Sequence, residues 1–187
     1  MKVTLKFITP NAEAFIGEMA AICYDGKLDE ASCLRRAKKC VDDNHLSTTR
    51  FAHAVFNIQD ISRACSHQLV RHKFLDYLQR SQRYCKDLDI GFVYPGTDKD
   101  TLISSAYQSA MAKYEELLNL GVRKEDARMV LPAGVQTELN VVGSFQAWLD
   151  FIRLRADKHA QAEIRTLAKE INNQLHQHAP NIFKWMP

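Results

Sequence analysis

Between Arg71 and Arg83, five side chains that carry or can acquire positive charge (Arg71, His72, Lys73, Arg80, Arg83) fall within thirteen residues, opposed only by Asp76. Amide and hydroxyl groups at Gln79, Ser81 and Gln82 are interleaved with them, and Gln68 stands just upstream. A merely solvated basic face would carry more Lys and Glu. Guanidinium forks mixed with neutral donors instead suit phosphate oxygens and a polar ring. The plainer alternative is a basic helix end that happens to be rich in donors.

A second constellation lies downstream. Arg155, His159 and Glu163 are four residues apart, so a continuous helix would put all three on one face. A surface ladder of ion pairs is the competing reading. Against it, Phe145, Trp148, Leu149 and Ile152 mark an apolar face in the same region. Arg128 adds a further cation, which an exposed helix end would equally explain.

Other chemistries are disfavoured. Ser81 has no visible His and Asp partners, so no nucleophilic serine is supported. Neither GxGxxG nor GxxxxGK[ST] occurs, which argues against Rossmann and P-loop sites. Cys23, Cys33, Cys40, Cys65 and Cys85 form no CxxC pair; being odd in number they exclude a full disulfide framework, and free thiols are expected. His176 and His178, two apart, would lie on different helix faces, and no metal is expected. A net charge of +3 suits anionic metabolites but is too slight for a nucleic-acid footprint. The first ten residues lack a signal-peptide apolar core and no run is long enough for a membrane span, so a reducing cytoplasm is expected.

These residues need elements to position them. The 187 residues, 46% hydrophobic, suffice for one domain over 1–187. Alternation predicts a strand over 2–8 with Val3, Leu5 and Phe7 on its buried face, and another over 51–58. Helical spacing predicts helices over 12–23, 29–43 (Leu34, Ala37 and Val41 on one face) and 61–72, with an irregular stretch through Tyr84. The clearest amphipathic pattern is 98–119, with Leu102, Ala106, Ala110, Tyr114 and Leu117 in line and Gly121 as a stop. A strand over 135–142 and helices over 144–156 and 158–178 complete an α+β fold, expected as a central, mostly antiparallel sheet flanked by helices.

The basic run also resembles a family signature. Arg71-His72-Lys73, seven residues, then Ser81 is similar to the Arg-His-Arg and Ser of the flavin-dependent thymidylate synthases. The segments Ser62 to Gln68 and Ser81 to Tyr84 agree with it. Ala127-Arg128-Met129-Val130-Leu131-Pro132 and Leu154 to Ile164 resemble two further family blocks, in the same order. The resemblance implies conversion of deoxyuridylate (dUMP) to thymidylate (dTMP). Methylenetetrahydrofolate would supply the carbon, and FAD reduced by NADPH the hydride. It implies dUMP contacts at Gln68, Arg71, Gln79, Ser81, Gln82, Arg83, Arg128 and Arg155, with Arg155 assisting ionisation of the ring. It implies FAD contacts at Thr49, Arg71, His72, Lys73, Ser144, Gln146 and Asp150. Finally, it implies a homotetramer with active sites shared between chains, no membrane partner and no nucleic-acid partner.

Several positions depart from the family pattern. Ala52 stands where Glu is usual, Lys73 where Arg is, Leu78 where Asn often is, and Ser144-Phe145-Gln146 where Asn-x-Arg is. Most of these would touch the flavin. One alternative is therefore a relative with weakened flavin binding or a different pyrimidine C5 modification; another is a non-catalytic nucleotide- or RNA-binding module.

Overall fold

The computed structural model describes residues 1–23, 26–85 and 90–186. Four strands, β1 (Lys2–Ile8), β2 (His53–Ser62), β3 (Leu75–Gln79) and β4 (Gln136–Ser144), form one antiparallel sheet in the order β1-β2-β4-β3. Around them run helices α1 (Ala12–Ala21), α2 (Glu30–Asp42), α3 (Arg63–Leu69), α4 (Asp100–Asn119), α5 (Lys124–Ala127), α6 (Phe145–Arg155) and α7 (Ala162–His178). The fold is α+β, as the sequence predicts.

The core lies between one face of the sheet and helices α6 and α7. In register, Ala54 faces Gly143, Phe56 faces Val141 and Ile58 faces Leu139, so alternate residues of both strands point the same way. They meet Trp148 and Phe151 of α6 and Ile164, Leu167 and Ile171 of α7, all fully buried. Trp148 packs edge-on against Phe56 at 5.1 Å and donates its indole N–H to the Ala54 carbonyl. On the edge strand, Gln174 of α7 bonds both the Leu5 N–H and the Val3 carbonyl, occupying backbone groups that would otherwise template another strand.

Two irregularities re-aim side chains. A register shift between Leu5 and Phe7 sends Phe7 outward, 52% exposed, and brings Ile8 to the core instead. A second shift between Ile58 and Ile61 uses Asp60 in the left-handed region (φ 58). It lets both isoleucines, three apart, face inward.

Other expectations need correction. Phe51 ends a 3-10 helix (Leu46–Phe51), and the strand begins at His53 and runs on to Ser62. The expected helix over 61–72 is therefore only Arg63–Leu69, capped by the Ser62 hydroxyl on the Cys65 N–H. The stretch before Tyr84, expected to be irregular, contains β3. Of the expected α4 face only Tyr114 is buried, and Leu102 is 70% exposed. Along α2, Ala37 is buried as expected, but beside Cys33 and Cys40 rather than Leu34 and Val41. All five cysteines are free thiols, and Gly121 follows α4 with φ 82.

Candidate active site

The basic segment is held from two sides. At one end, α3 stops at Leu69 and the chain turns into β3. That turn is tied down by the Tyr77 hydroxyl, whose one proton is shared between the carbonyls of Leu69 (2.8 Å) and His72 (3.0 Å). At the other end, α6 starts on a Ser144 cap and places Arg155 as its last residue. There Arg155 Nε donates to His72 Nε2 at 3.0 Å, and Nη2 donates to the Gln68 carbonyl at 3.3 Å. The Gln68 side chain reaches Gln161 beyond the end of α6.

The one-face reading of Arg155, His159 and Glu163 does not hold. Helix α6 ends at Arg155, and α7 begins only at Ala162. His159 lies in the connection, exposed, on the Asp157 carboxylate. Glu163 turns the other way and accepts from Ser62 N (2.7 Å) and Ser62 Oγ (2.6 Å), gripping the start of α3.

The other nucleotide candidates gather elsewhere. Gln79 Nε2 donates to Ser66 Oγ and Thr137 Oγ1. Ser81 Oγ accepts the Arg83 N–H within a turn. Gln82 is buried, and its amide nitrogen has no hydrogen-bond partner among the described residues. Arg83 Nε meets Glu125 Oε2 at 2.5 Å, while Arg128 Nε donates to the Glu125 carbonyl at 3.1 Å. Glu125 thus assembles two of the expected arginines, a role that nothing in its sequence context signalled. The contacts tie the candidates into two groups, Arg155–His72–Gln68 and Arg83–Glu125–Arg128. Arg71 is exposed beside the first.

A separate cavity of about 480 Å³ is lined by Lys73, Ser144, Gln146 and Asp150, four of the seven expected flavin contacts. Arg50, His53 and Phe74, the last 77% exposed, complete the wall that matters here. Gln146 donates to Asp150 at 3.2 Å. Thr49 does not join this cavity's lining; it is fully buried and its hydroxyl donates to the Leu46 carbonyl within the 3-10 turn. Ala52 is also fully buried, among core side chains.

Electrostatics separate the groups. Burial first, and the Arg155 guanidinium second, hold the His72 imidazole below its ordinary 6.5, with Asp150 acting in the opposite direction. Burial, reinforced by Glu163, pushes the Cys65 thiol far up, away from any thiolate.

The chain is similar to known proteins along most of its length. Residues 4–181 match the profile of the family described as "Thymidylate synthase complementing protein". The flavin-dependent thymidylate synthase of Geobacter sulfurreducens is 36% identical over 98% of this chain and 86% of its own length. Those of Mycobacterium tuberculosis and Mycobacteroides abscessus are 37% identical over 76% of this chain, which spans 65% of theirs. The chain belongs to the flavin-dependent thymidylate synthase family.

For a member of that family, the cavity at Lys73 is the place to test against FAD. Neither Arg50 nor Lys73 has an ion-pair partner among the described residues, so two cations are available to a pyrophosphate. The exposed Phe74 ring offers a stacking face. The chemistry of these residues suits part of a flavin dinucleotide, and the cavity's volume is ordinary for a small-molecule site.

Proposed function

We propose that this chain converts dUMP to dTMP, with methylenetetrahydrofolate as carbon donor and FAD reduced by NADPH as hydride source. The observation that carries the reading is Arg155, half-buried at the end of α6 and oriented by two acceptors, Gln68 O and His72 Nε2. A guanidinium does not surrender its proton, so it suits charge that develops on the pyrimidine as N3 loses its own. Arg83 and Arg128, gathered by Glu125, are suited to the phosphate, and the Gln82 amide nitrogen, unpartnered among the described residues, offers a buried donor to a bound nucleotide.

When bound, FAD would supply a hydride; Lys73, Arg50, Ser144, Gln146 and Asp150 would hold it. No protein nucleophile is required of this chain's residues. Cys65 is buried with its thiol held protonated, and Ser81 has no base beside it.

The active unit is proposed to be a homotetramer with shared sites. Its support is the division of the nucleotide-binding arginines into two groups, together with exposed apolar residues at Leu102, Leu120 and Met129. No described helix is long and apolar enough to cross a membrane, and a cytoplasmic location is proposed. The test is product analysis with dUMP, methylenetetrahydrofolate, FAD and NADPH, omitting each in turn. The reading expects no dTMP without dUMP, methylenetetrahydrofolate or NADPH, and less dTMP without added FAD than from the complete mixture. Tight uridylate binding without dTMP formation would contradict it, and salt-sensitive preference for an RNA oligomer would favour a binding module.

A further inference from the structure

The bond between Arg155 and His72 constrains both partners. Arginine only donates, so His72 Nε2, 3.0 Å from Arg155 Nε, must present a lone pair. The imidazole is then neutral and carries its proton on Nδ1. Its ring is wedged edge-on against Phe151 of α6 at 5.0 Å. Its backbone is pinned, because the His72 carbonyl accepts from the Tyr77 hydroxyl and the His72 N–H donates to the Leu69 carbonyl at 3.1 Å. A ring held in this way is a fixed acceptor.

The guanidinium is fixed in turn. Its Nε–H goes to His72 and one Nη2–H to the Gln68 carbonyl, so the edge formed by Nε and Nη2 is occupied by protein. What remains free is the end-on fork of Nη1 and Nη2, the arrangement suited to two adjacent acceptors of a planar ring. Cα-to-tip, an arginine has several rotatable bonds, and two acceptors at right positions remove that freedom before any ligand arrives.

We propose that His72 is a positioning residue for Arg155: its neutral imidazole anchors the guanidinium with the end-on fork presented, and protonation of His72 releases it. The proposal rests on the reading that Arg155 faces the pyrimidine. It gives the histidine a task distinct from contact with the flavin. The charged groups acting on His72 are Arg155 and Asp150, both from α6, with Arg71 and Lys73 flanking it in sequence. On protonation, two donors and two positive charges would face each other across 3.0 Å, and the bond cannot survive. The anchored state is therefore present at neutral pH and lost as pH falls through a value below 6.5.

Two measurements on the full chain test this. Nitrogen-15 NMR of labelled histidine reads the pair directly, whether or not the chain makes dTMP. The proposal expects a neutral, Nδ1-protonated His72 at pH 7.5 whose titration moves upward in Arg155→Met. An Nε2-protonated ring, or a titration indifferent to Arg155→Met, overturns it. The second measurement compares kcat between pH 5 and 8 at saturating FAD, with FAD affinity measured separately. His72→Gln places a neutral acceptor at the same reach, whereas His72→Phe keeps the ring contact and removes the acceptor. His72→Phe should lose on the order of 10²-fold in kcat, as misplaced catalytic groups do, and His72→Gln should recover most of that loss while losing the acid limb. Equal rates in the two variants, or a loss in His72→Phe matched by an equal loss of FAD affinity, would refute positioning. Absence of dTMP formation by the wild type would instead strike the functional reading, leaving the NMR result to decide the pair.

Discussion

Replacing Glu163 by alanine should loosen the start of α3. The carboxylate accepts from the Ser62 N–H at 2.7 Å and the Ser62 hydroxyl at 2.6 Å. Hydrogen bonds to a charged group contribute about 1.5–3 kcal/mol each. Ser62 is only 3% exposed, so water cannot readily replace the carboxylate at its backbone N–H. The Ser62 hydroxyl still caps Cys65, which limits the damage. A net loss of about 3 kcal/mol follows, which for a chain of this size lowers Tm by roughly 6–12 °C. Glu163→Gln keeps one acceptor and lets an amide N–H donate to the hydroxyl, so its cost should be about 1 kcal/mol. Thermal melts at matched protein concentration measure both. Hydrogen exchange at Cys65 and Ser66 should quicken in Glu163→Ala before the rest of the chain responds. A melt within 1 °C of wild type, or alanine and glutamine variants that behave alike, would refute the reasoning.

Three further outcomes are expected. Cys65→Ala and Cys85→Ser should each retain activity per folded molecule, because burial keeps the Cys65 thiol protonated; loss of dTMP formation in either, with the fold intact, would show a covalent role. Gly17→Ala should destabilise by about 1–3 kcal/mol or more, since its new methyl would lie 1.9 Å from the Cys33 carbonyl oxygen where α1 and α2 cross, and denaturant unfolding measures it. FAD should bind more weakly than is usual for the family, with calorimetry showing partial occupancy after purification, and Lys73→Arg with Gln146→Arg should tighten FAD without changing dUMP affinity; full occupancy in the wild type would mean that residues such as Arg50 compensate.

Period-two patterning made β2 and β4 legible, because each has one face on the core and the other away from it. Of the two alternating rows in β2, the one with Ala54, Phe56 and Ile58 is the buried one. The patterning could not reveal β3, whose residues Asp76 and Leu78 are exposed and whose strand form depends on pairing with β4. Bulges were invisible for a related reason: the shift that exposes Phe7 is decided by the partner strand's register. The site was legible as residue types and family blocks, and its division was not. Spacing of four put Arg155, His159 and Glu163 on one face only for an unbroken helix, whereas the two expected helices, 144–156 and 158–178, already divided them. The break at 156–161 sends Arg155 to His72 and Glu163 to Ser62. Glu125 escaped notice because its neighbours in sequence, Lys124 and Asp126, give it the look of an ordinary solvated helix end.

The central claim is that Arg155 drives chemistry at C5 of a uridylate without a protein nucleophile. The direct measurement is tritium release to water from C5-labelled dUMP, with methylenetetrahydrofolate, FAD and NADPH present, by wild type and Arg155→Ala. The account predicts release matched by dTMP in the wild type, and a loss on the order of 10²–10³-fold in the variant with its fold unchanged. Near-normal release by Arg155→Ala would contradict it.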